Sequence, residues 1–148
     1  LVFGASSSGM MGRCYKSFLN GNKKIYSYTV SKYIDDLKNI ESSEEYLLKT
    51  TFMRTENMYE EASILVFLPG GTGTISEIFS VLEENRSIDK PKKVILYNYD
   101  GFYDKVLDLI NYCVINNFND KTIFDYFIVV NNNDELLKEL ESINKLKK

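Results

Sequence analysis

The side chains of this chain that could do chemistry are carboxylates, arginines and hydroxyl groups, because the sequence contains no His and only two cysteines, Cys14 and Cys113. The lack of His excludes a Ser-His-Asp triad, a Cys-His dyad and a His-ligated metal site. Two cysteines are too few for a Cys-rich zinc cluster or a disulfide scaffold. Catalysis would therefore depend on Glu, Asp, Arg, Lys, Tyr, Ser, Thr or backbone groups, and we predict no metal site.

The strongest candidate motif is PGGTGTISE, which follows the apolar run Ile64–Leu68 directly. Its glycines let the backbone approach a ligand closely. The helix predicted to follow presents amide groups and a partial positive charge to an anion. We therefore expect a phosphate group to bind here. The residues expected to bind it are Gly70, Gly71, Thr72, Gly73 and Thr74.

The carboxylate at the end of this motif, Glu77, has two interpretations. Thr74-Ile75-Ser76-Glu77 has the pattern of a capping box, with Thr74 as the N-cap and Glu77 three residues later. The pattern alone favours this structural role. A catalytic role is the alternative. A carboxylate beside a phosphate site repels the ligand, so its presence there must be explained by a cap or by catalysis.

A second glycine-rich segment, GASSSGMMG over residues 4–12, follows the apolar residues Leu1-Val2-Phe3. It is not a P-loop, because Met10 stands where that motif requires Lys, and it does not have the GxGxxG pattern. A tight turn and a nucleotide-binding loop are equally good interpretations. Arg54, at the start of a predicted helix, suits bidentate recognition of phosphate, although a surface charge is the simpler interpretation.

Hydrophobic patterning predicts alternating strands and helices, and several of the strands are apolar throughout. This order predicts an α/β fold, a three-layer Rossmann-like doubly wound parallel sheet, as a single domain over residues 1–148. Such sheets bind ligands at the carboxyl ends of their strands. The predicted strands are 1–3, 24–30, 46–52, 64–68, 93–98 and 127–130, and the predicted helices are 10–19, 53–62, 74–85, 102–118 and 134–146.

The length of 148 residues and the net charge of −3 narrow the class of protein further. A chain of this length can bury a hydrophobic core. The negative charge argues against a nucleic-acid partner. No apolar run approaches the roughly 20 residues that cross a bilayer, so we expect no membrane partner and a cytoplasmic location.

The PGGTGTISE motif resembles the PGGxGTxxE signature of the Lonely Guy proteins, which are cytokinin riboside 5′-monophosphate phosphoribohydrolases often described as lysine decarboxylase-like. LVFGASSSGMMG is similar to that family's LVYGGGxxGLMG, and fourteen residues separate Arg54 from Pro69, the spacing that the family keeps. The similarity extends from Leu1 to about Val130. It includes KPKKVILYNYDGFYDKVLDLI, which resembles the family's KPVxLLNxxGYYxxLLxxL.

The resemblance implies hydrolysis of the N-glycosidic bond of a purine nucleoside 5′-monophosphate, with or without an N6 substituent, to free base and ribose 5-phosphate. It assigns the catalytic roles to Arg54 and Glu77 and places Gly9, Met11 and Gly12 in the first nucleotide loop. It implies no cofactor and a homodimer. Lysine decarboxylation is not expected, because the sequence offers no sign of a lysine site for pyridoxal phosphate.

Several residues depart from the family pattern. Only the Arg of its M-H-E-R segment is kept in Thr51-Phe52-Met53-Arg54, and Ala5 and Ser6 replace two glycines. The segment between Glu77 and Pro91 is shorter by about two residues than in the family. The family's first strand–helix unit, with a Gly-Ser-Ser loop, precedes the position of Leu1, so that unit is expected to be missing from this chain.

These departures keep two other hypotheses open beside the hydrolase. One is a nucleotide- or phosphate-binding protein of the same fold that does no catalysis, as molybdenum-cofactor carrier proteins do. The other is an inactive remnant.

Overall fold

A computed structural model describes residues 1–145 of the chain, apart from the side chain of Asn144. The chain forms two compact units, Leu1–Ser63 and a second that begins at Ile64. Each unit contains a three-stranded parallel sheet with helices between its strands. The predicted α/β class with parallel, Rossmann-like strand–helix units is thereby confirmed. The single domain over 1–148 stays a prediction.

The first unit has the strand order β1-β2-β3, all parallel. A 3-10 helical segment, Ser31–Asn39, follows β2. The elements of this unit are β1 (Val2–Phe3), α1 (Gly9–Asn20), β2 (Tyr26–Val30), β3 (Glu44–Leu48) and α2 (Thr51–Glu61).

Helices cover both faces of this sheet. On one face the ring of Tyr15 in α1 stacks on Phe3 of β1, with 5.9 Å between ring centroids. Ser27 of β2 pairs with Phe3 and therefore points to the same face of the sheet. Tyr28, the next residue along β2, points to the opposite face, because side chains alternate along a strand. Burial raises the pKa of the Tyr28 hydroxyl, and the carboxylates of Glu61 and Glu44 raise it further. Helix α2, which ends at Glu61, packs against all three strands of this sheet.

The second unit repeats the parallel arrangement in the order β4-β5-β6. Val94, Ile95 and Leu96 of its central strand are at most 1% exposed, as expected of a parallel strand covered on both faces. Ile143 of the last helix packs on one of these faces, against Ile95 and Val130. The elements are β4 (Ile64–Phe67), α3 (Thr72–Ser87), β5 (Lys93–Tyr97), α4 (Asp104–Ile115), β6 (Ile128–Val130) and α5 (Asn133–Lys145).

The strand predicted over residues 46–52 is wrong in its second half. β3 ends at Leu48, and Thr50 then caps α2 by accepting a hydrogen bond from the amide of Met53 at 3.2 Å. A Thr at an N-cap satisfies a helix amide and therefore favours a helix start over a longer strand. The end predicted for the last helix, Leu146, lies outside the described residues. Within residues 1–145, no helix is long and apolar enough to cross a membrane.

Candidate functional site

The segment Leu68–Gly71 connects the carboxyl end of β4 to the first turn of α3. Gly71 is the N-cap of that helix, and it has no side chain that could accept a hydrogen bond from the amides of the first turn. In α2, by contrast, Thr50 caps the corresponding position with its hydroxyl. The first amides of a helix have no partner within the helix. Those at the start of α3 are therefore available to an external anion, which the helix dipole also attracts.

The capping box predicted for Thr74 and Glu77 is wrong. The helix begins two residues earlier than predicted, because Gly71 is extended (φ −79°, ψ −164°) and its carbonyl accepts from the amide of Ile75 at 3.2 Å. Thr74 is consequently the third residue of α3 and Glu77 the sixth. Glu77 therefore does not have the capping role that the sequence pattern favoured.

The position of Glu77 in the second turn places it near the predicted phosphate loop. Residues three and four apart share a face of a helix, so Glu77 lies on the face of Gly73 and Thr74. Helical side chains also lean towards the amino terminus, which directs Glu77 towards that first turn. Glu77 is half-buried. A partly desolvated carboxylate one turn from an anion-binding helix start is suited to stabilising positive charge on a bound ligand.

The loop itself is compact at one point and open at others. A methyl group placed on Gly70 would lie 2.3 Å from Oγ1 and 2.9 Å from Cβ of Thr74, so any larger residue would displace that β-branched side chain. Methyl groups placed on Gly71 or Gly73 would meet no atom within 4 Å. The predicted ligand-binding residues therefore divide into a packed Gly70–Thr74 pair and an exposed stretch, Gly71–Gly73.

The first glycine-rich segment joins β1 to α1 and is built as a tight turn. Gly9 has φ +59°, in the left-handed region that glycine tolerates best. Gly12 is buried, and a methyl group there would lie 2.2 Å from the carbonyl oxygen of Ser7. Ala5 also adopts the left-handed region, with φ +56°, at a cost of about 1–2 kcal/mol. Its conformation is the one that a glycine at this place in the family pattern would adopt without strain.

An open depression of about 470 Å³ lies at the start of α1, lined by Ser7, Gly9, Gly12, Arg13 and Lys16. Its two cations and the amino-terminal end of the helix favour an anionic ligand. Gly9 and Gly12 were predicted as ligand-binding residues, whereas Arg13 and Lys16 were not. Their helical spacing from the two glycines was the available signal, since residues 9, 12, 13 and 16 share one face.

Arg54 lies in the first turn of α2, and the structure places its guanidinium beside the first loop. A methyl group on Gly4, the residue after β1, would lie 3.7 Å from Nη1 of Arg54 and 3.6 Å from Sδ of Met11. The Arg54 Nε is buried, although the residue as a whole is half-exposed. The interpretation of Arg54 as a surface charge is therefore wrong, because the side chain packs inward against the carboxyl end of β1. Met11 itself is 47% exposed.

The candidate residues thus form two groups, one in each unit. Arg54, Gly4 and Met11 meet in the first unit, which also holds the depression beside Gly9 and Gly12. Gly70, Thr74 and Glu77 belong to the second unit, on and before α3. Each group lies where a parallel sheet places its ligands, at the carboxyl end of a strand.

The packing of Gly12 leads to a stability prediction. Gly12→Ala is expected to lower the free energy of unfolding by about 1–3 kcal/mol, the usual cost of overpacking, because the contacted atom belongs to the backbone of Ser7. Urea unfolding followed by circular dichroism measures the change. Gly73→Ala is the matched control, since space is open there and Ala favours the helix over Gly. Equal midpoints for Gly12→Ala and the wild type would contradict the packing described.

Comparison with known proteins agrees with these motifs. The model of a family described as "Possible lysine decarboxylase" matches residues 11–140. The chain is 29% identical over 141 residues to a "Probable cytokinin riboside 5′-monophosphate phosphoribohydrolase" of Oryza sativa subsp. japonica, covering 95% of this chain and 61% of the rice protein. It is 30% identical over 142 residues to a cytokinin riboside 5′-monophosphate phosphoribohydrolase of Arabidopsis thaliana, covering 95% of this chain and 67% of that protein.

The chain therefore spans about two thirds of the length of these relatives. The family match covers most of the chain, and it includes both the PGGTGTISE motif and Arg54. On this evidence the chain belongs to the family described as possible lysine decarboxylases, which is the Lonely Guy family of phosphoribohydrolase-like proteins.

Proposed function

We propose that this chain hydrolyses the N-glycosidic bond of a purine nucleoside 5′-monophosphate, releasing the base and ribose 5-phosphate. One observation carries the proposal: α3 begins at an N-cap without a side chain, and Glu77 lies one turn further along the same face. The relatives are named for this reaction on cytokinin riboside 5′-monophosphates. Their names support glycosidic hydrolysis rather than the decarboxylation in the family's description.

In the proposed reaction the bond between C1′ and the base nitrogen breaks, and the bonding electrons leave with the base. The transition state resembles an oxocarbenium ion, so positive charge develops on the ribose. The carboxylate of Glu77 stabilises that charge or orients the attacking water, whose oxygen bonds to C1′. One proton of the water reaches the departing base and the product sugar keeps the other. The 5′-phosphate binds at the Gly70–Thr74 loop, with Thr72 contributing a hydroxyl group.

Arg54 is proposed as the second catalytic residue, by resemblance to the family motif. Its planar guanidinium offers two parallel donors to a phosphate or to ribose hydroxyls. The packing of that guanidinium beside Gly4 restricts its rotamers, which lowers the entropy lost when a ligand is bound. Gly9, Met11 and Gly12 are proposed to line the nucleotide site in the same unit.

A second candidate is a protein that binds the nucleotide without cleaving it. The residues beside Arg54 favour it, because Thr51-Phe52-Met53 contains no ionisable group and Phe52 is 81% exposed. A site that lacks one acid–base partner can keep its affinity while losing catalytic rate.

Incubation with AMP and with an N6-substituted AMP separates the two candidates. The hydrolase releases free base and an equal amount of ribose 5-phosphate, measured by chromatography and a reducing-sugar assay. Adenosine is the matched control, since it lacks only the phosphate and should be cleaved far more slowly. Saturable AMP binding by calorimetry with no ribose 5-phosphate after hours would favour the binding protein. A homodimer, which the resemblance implies, is a further proposal that sedimentation equilibrium measures directly.

A further inference from the structure

A buried tyrosine hydroxyl forms a hydrogen bond with the residue just before the PGGTGTISE segment. The hydroxyl of Tyr103 donates to the carbonyl oxygen of Leu68 at 2.6 Å. Tyr103 is fully buried, with 0% of its surface exposed. Leu68 is the single residue between β4 and Pro69, where the glycine-rich loop begins. The contact therefore joins the residue just before α4 to the start of the loop, 35 positions earlier in the chain.

The hydrogen bond fixes the orientation of one peptide plane. The Leu68 carbonyl belongs to the peptide bond with Pro69, whose ring restricts φ to about −65°. A fixed peptide plane followed by a fixed φ leaves the chain little freedom before Gly70. At Gly70 the backbone packs against the side chain of Thr74. The loop is thus held at Leu68 and at Gly70, while Gly71 and Gly73 remain open to a ligand.

Tyr103 is itself held by a network at the carboxyl ends of β5 and β6. Its amide donates to Oδ1 of Asn98 at 2.6 Å. Asn98 is buried, and its Nδ2 donates to Oδ1 of Asp104 at 2.9 Å and to Oδ1 of Asn131 at 3.4 Å. The amide of Asn98 donates to the carbonyl of Val130 at 2.7 Å. The network fixes the backbone of Tyr103, and the ring that extends from this fixed point is fully buried.

We propose that Tyr103 is a positioning residue for phosphate binding: its hydroxyl orients the Leu68–Pro69 peptide so that the first amides of α3 converge on the phosphate. The inference rests on the proposed function, because it assumes a phosphate at this loop. Tyr103 is not placed in contact with the ligand and acts through Leu68. Burial raises the pKa of the Tyr103 hydroxyl to about 12, so the group remains a donor at neutral pH.

Tyr103→Phe tests the proposal, because Phe keeps the buried ring and removes only the hydroxyl. Calorimetry is run with AMP and with adenosine on the full chain. The AMP dissociation constant is expected to rise about tenfold, as for the loss of one well-placed hydrogen bond, while that of adenosine stays constant. Tyr112→Phe, on the helix that follows Tyr103, is the matched control, since Tyr112 is 61% exposed, and it should change neither constant. A merely structural role would weaken both ligands equally, and that result would overturn the proposal.

Amide hydrogen exchange without ligand supplies a readout that does not depend on the proposed function. In Tyr103→Phe the amides of Gly70, Gly71 and Gly73 are expected to exchange faster, while those of β5 do not. Unchanged exchange in the loop would overturn the role of Tyr103. Equal binding of AMP and adenosine by the wild type, together with faster loop exchange in the variant, would overturn the phosphate site and still support Tyr103 as the residue that positions the loop.

Discussion

Replacing Glu77 with Gln is expected to lower kcat for nucleotide hydrolysis by roughly 10²–10⁴-fold, the usual contribution of a positioned acid–base group. The change removes one negative charge and leaves side-chain length and shape almost unaltered. A neutral amide stabilises an oxocarbenium-like transition state poorly. Binding of AMP should persist, because the predicted phosphate contacts come from the loop and the first turn of α3. Initial rates of ribose 5-phosphate release, measured at saturating AMP, give the loss in kcat.

The stability of this variant should be close to that of the wild type. Glu77 lies in the second turn of α3 and not in a capping box, and Gln and Glu have similar helix propensities. Glu84→Gln is the matched control, because Glu84 lies on the same helix and is exposed. Wild-type turnover by Glu77→Gln would contradict the catalytic assignment. Equal losses in the two variants would indicate an effect of net charge.

Arg54→Lys is expected to lower kcat/KM by about 10²-fold, which corresponds to about 2.7 kcal/mol of transition-state stabilisation. Lys keeps the positive charge and loses the planar pair of donors. The loss should be larger than for an exposed arginine, because the guanidinium packs against the backbone at Gly4 and its Nε is buried. Steady-state kinetics with AMP as the substrate measures the ratio.

Arg86→Lys is the control for this substitution, since Arg86 lies near the end of α3 and forms an exposed pair with Glu83 at 2.7 Å. Such surface pairs contribute little, so its kinetics and its unfolding midpoint should both remain near wild type. Thermal unfolding of both variants separates a folding defect from a kinetic one. A wild-type kcat/KM for Arg54→Lys would remove Arg54 from the proposed mechanism.

Much of the candidate site could be predicted from local sequence. PGGTGTISE follows an apolar run, and a parallel strand followed by a glycine-rich turn and a helix places its backbone amides together. The packed pair of Gly70 and Thr74 lies four residues apart, so the contact is formed within the segment itself. The same locality explains why a tight turn at Gly9 and Gly12 was one of the two interpretations open from the sequence.

Other features escaped prediction because they depend on backbone geometry or on distant contacts. The start of α3 was misplaced because a Thr N-cap is common, and only the extended conformation of Gly71 shows that the helix begins at Thr72. The inward packing of Arg54 depends on β1, about fifty residues earlier in the chain. Tyr103 lies in the family-like segment GFYDKVLDLI, but nothing local assigned it a role, because its bond to Leu68 joins the residue before α4 to the end of β4.

The sequence by itself determined which chemistry was open to this protein and where along the chain it would lie. A chain without His and with PGGTGTISE after a buried strand already indicated anion binding by backbone amides. Fourteen residues separate Arg54 from Pro69, and only the resemblance to the family gave catalytic roles to Arg54 and Glu77. Tertiary structure decided the local surroundings of these residues. In the structure Glu77 is not part of a capping box, Arg54 packs beside Gly4, and Tyr103 is hydrogen-bonded to Leu68. These outcomes depend on φ and ψ values and on contacts between elements that are distant in sequence, which local patterns do not contain.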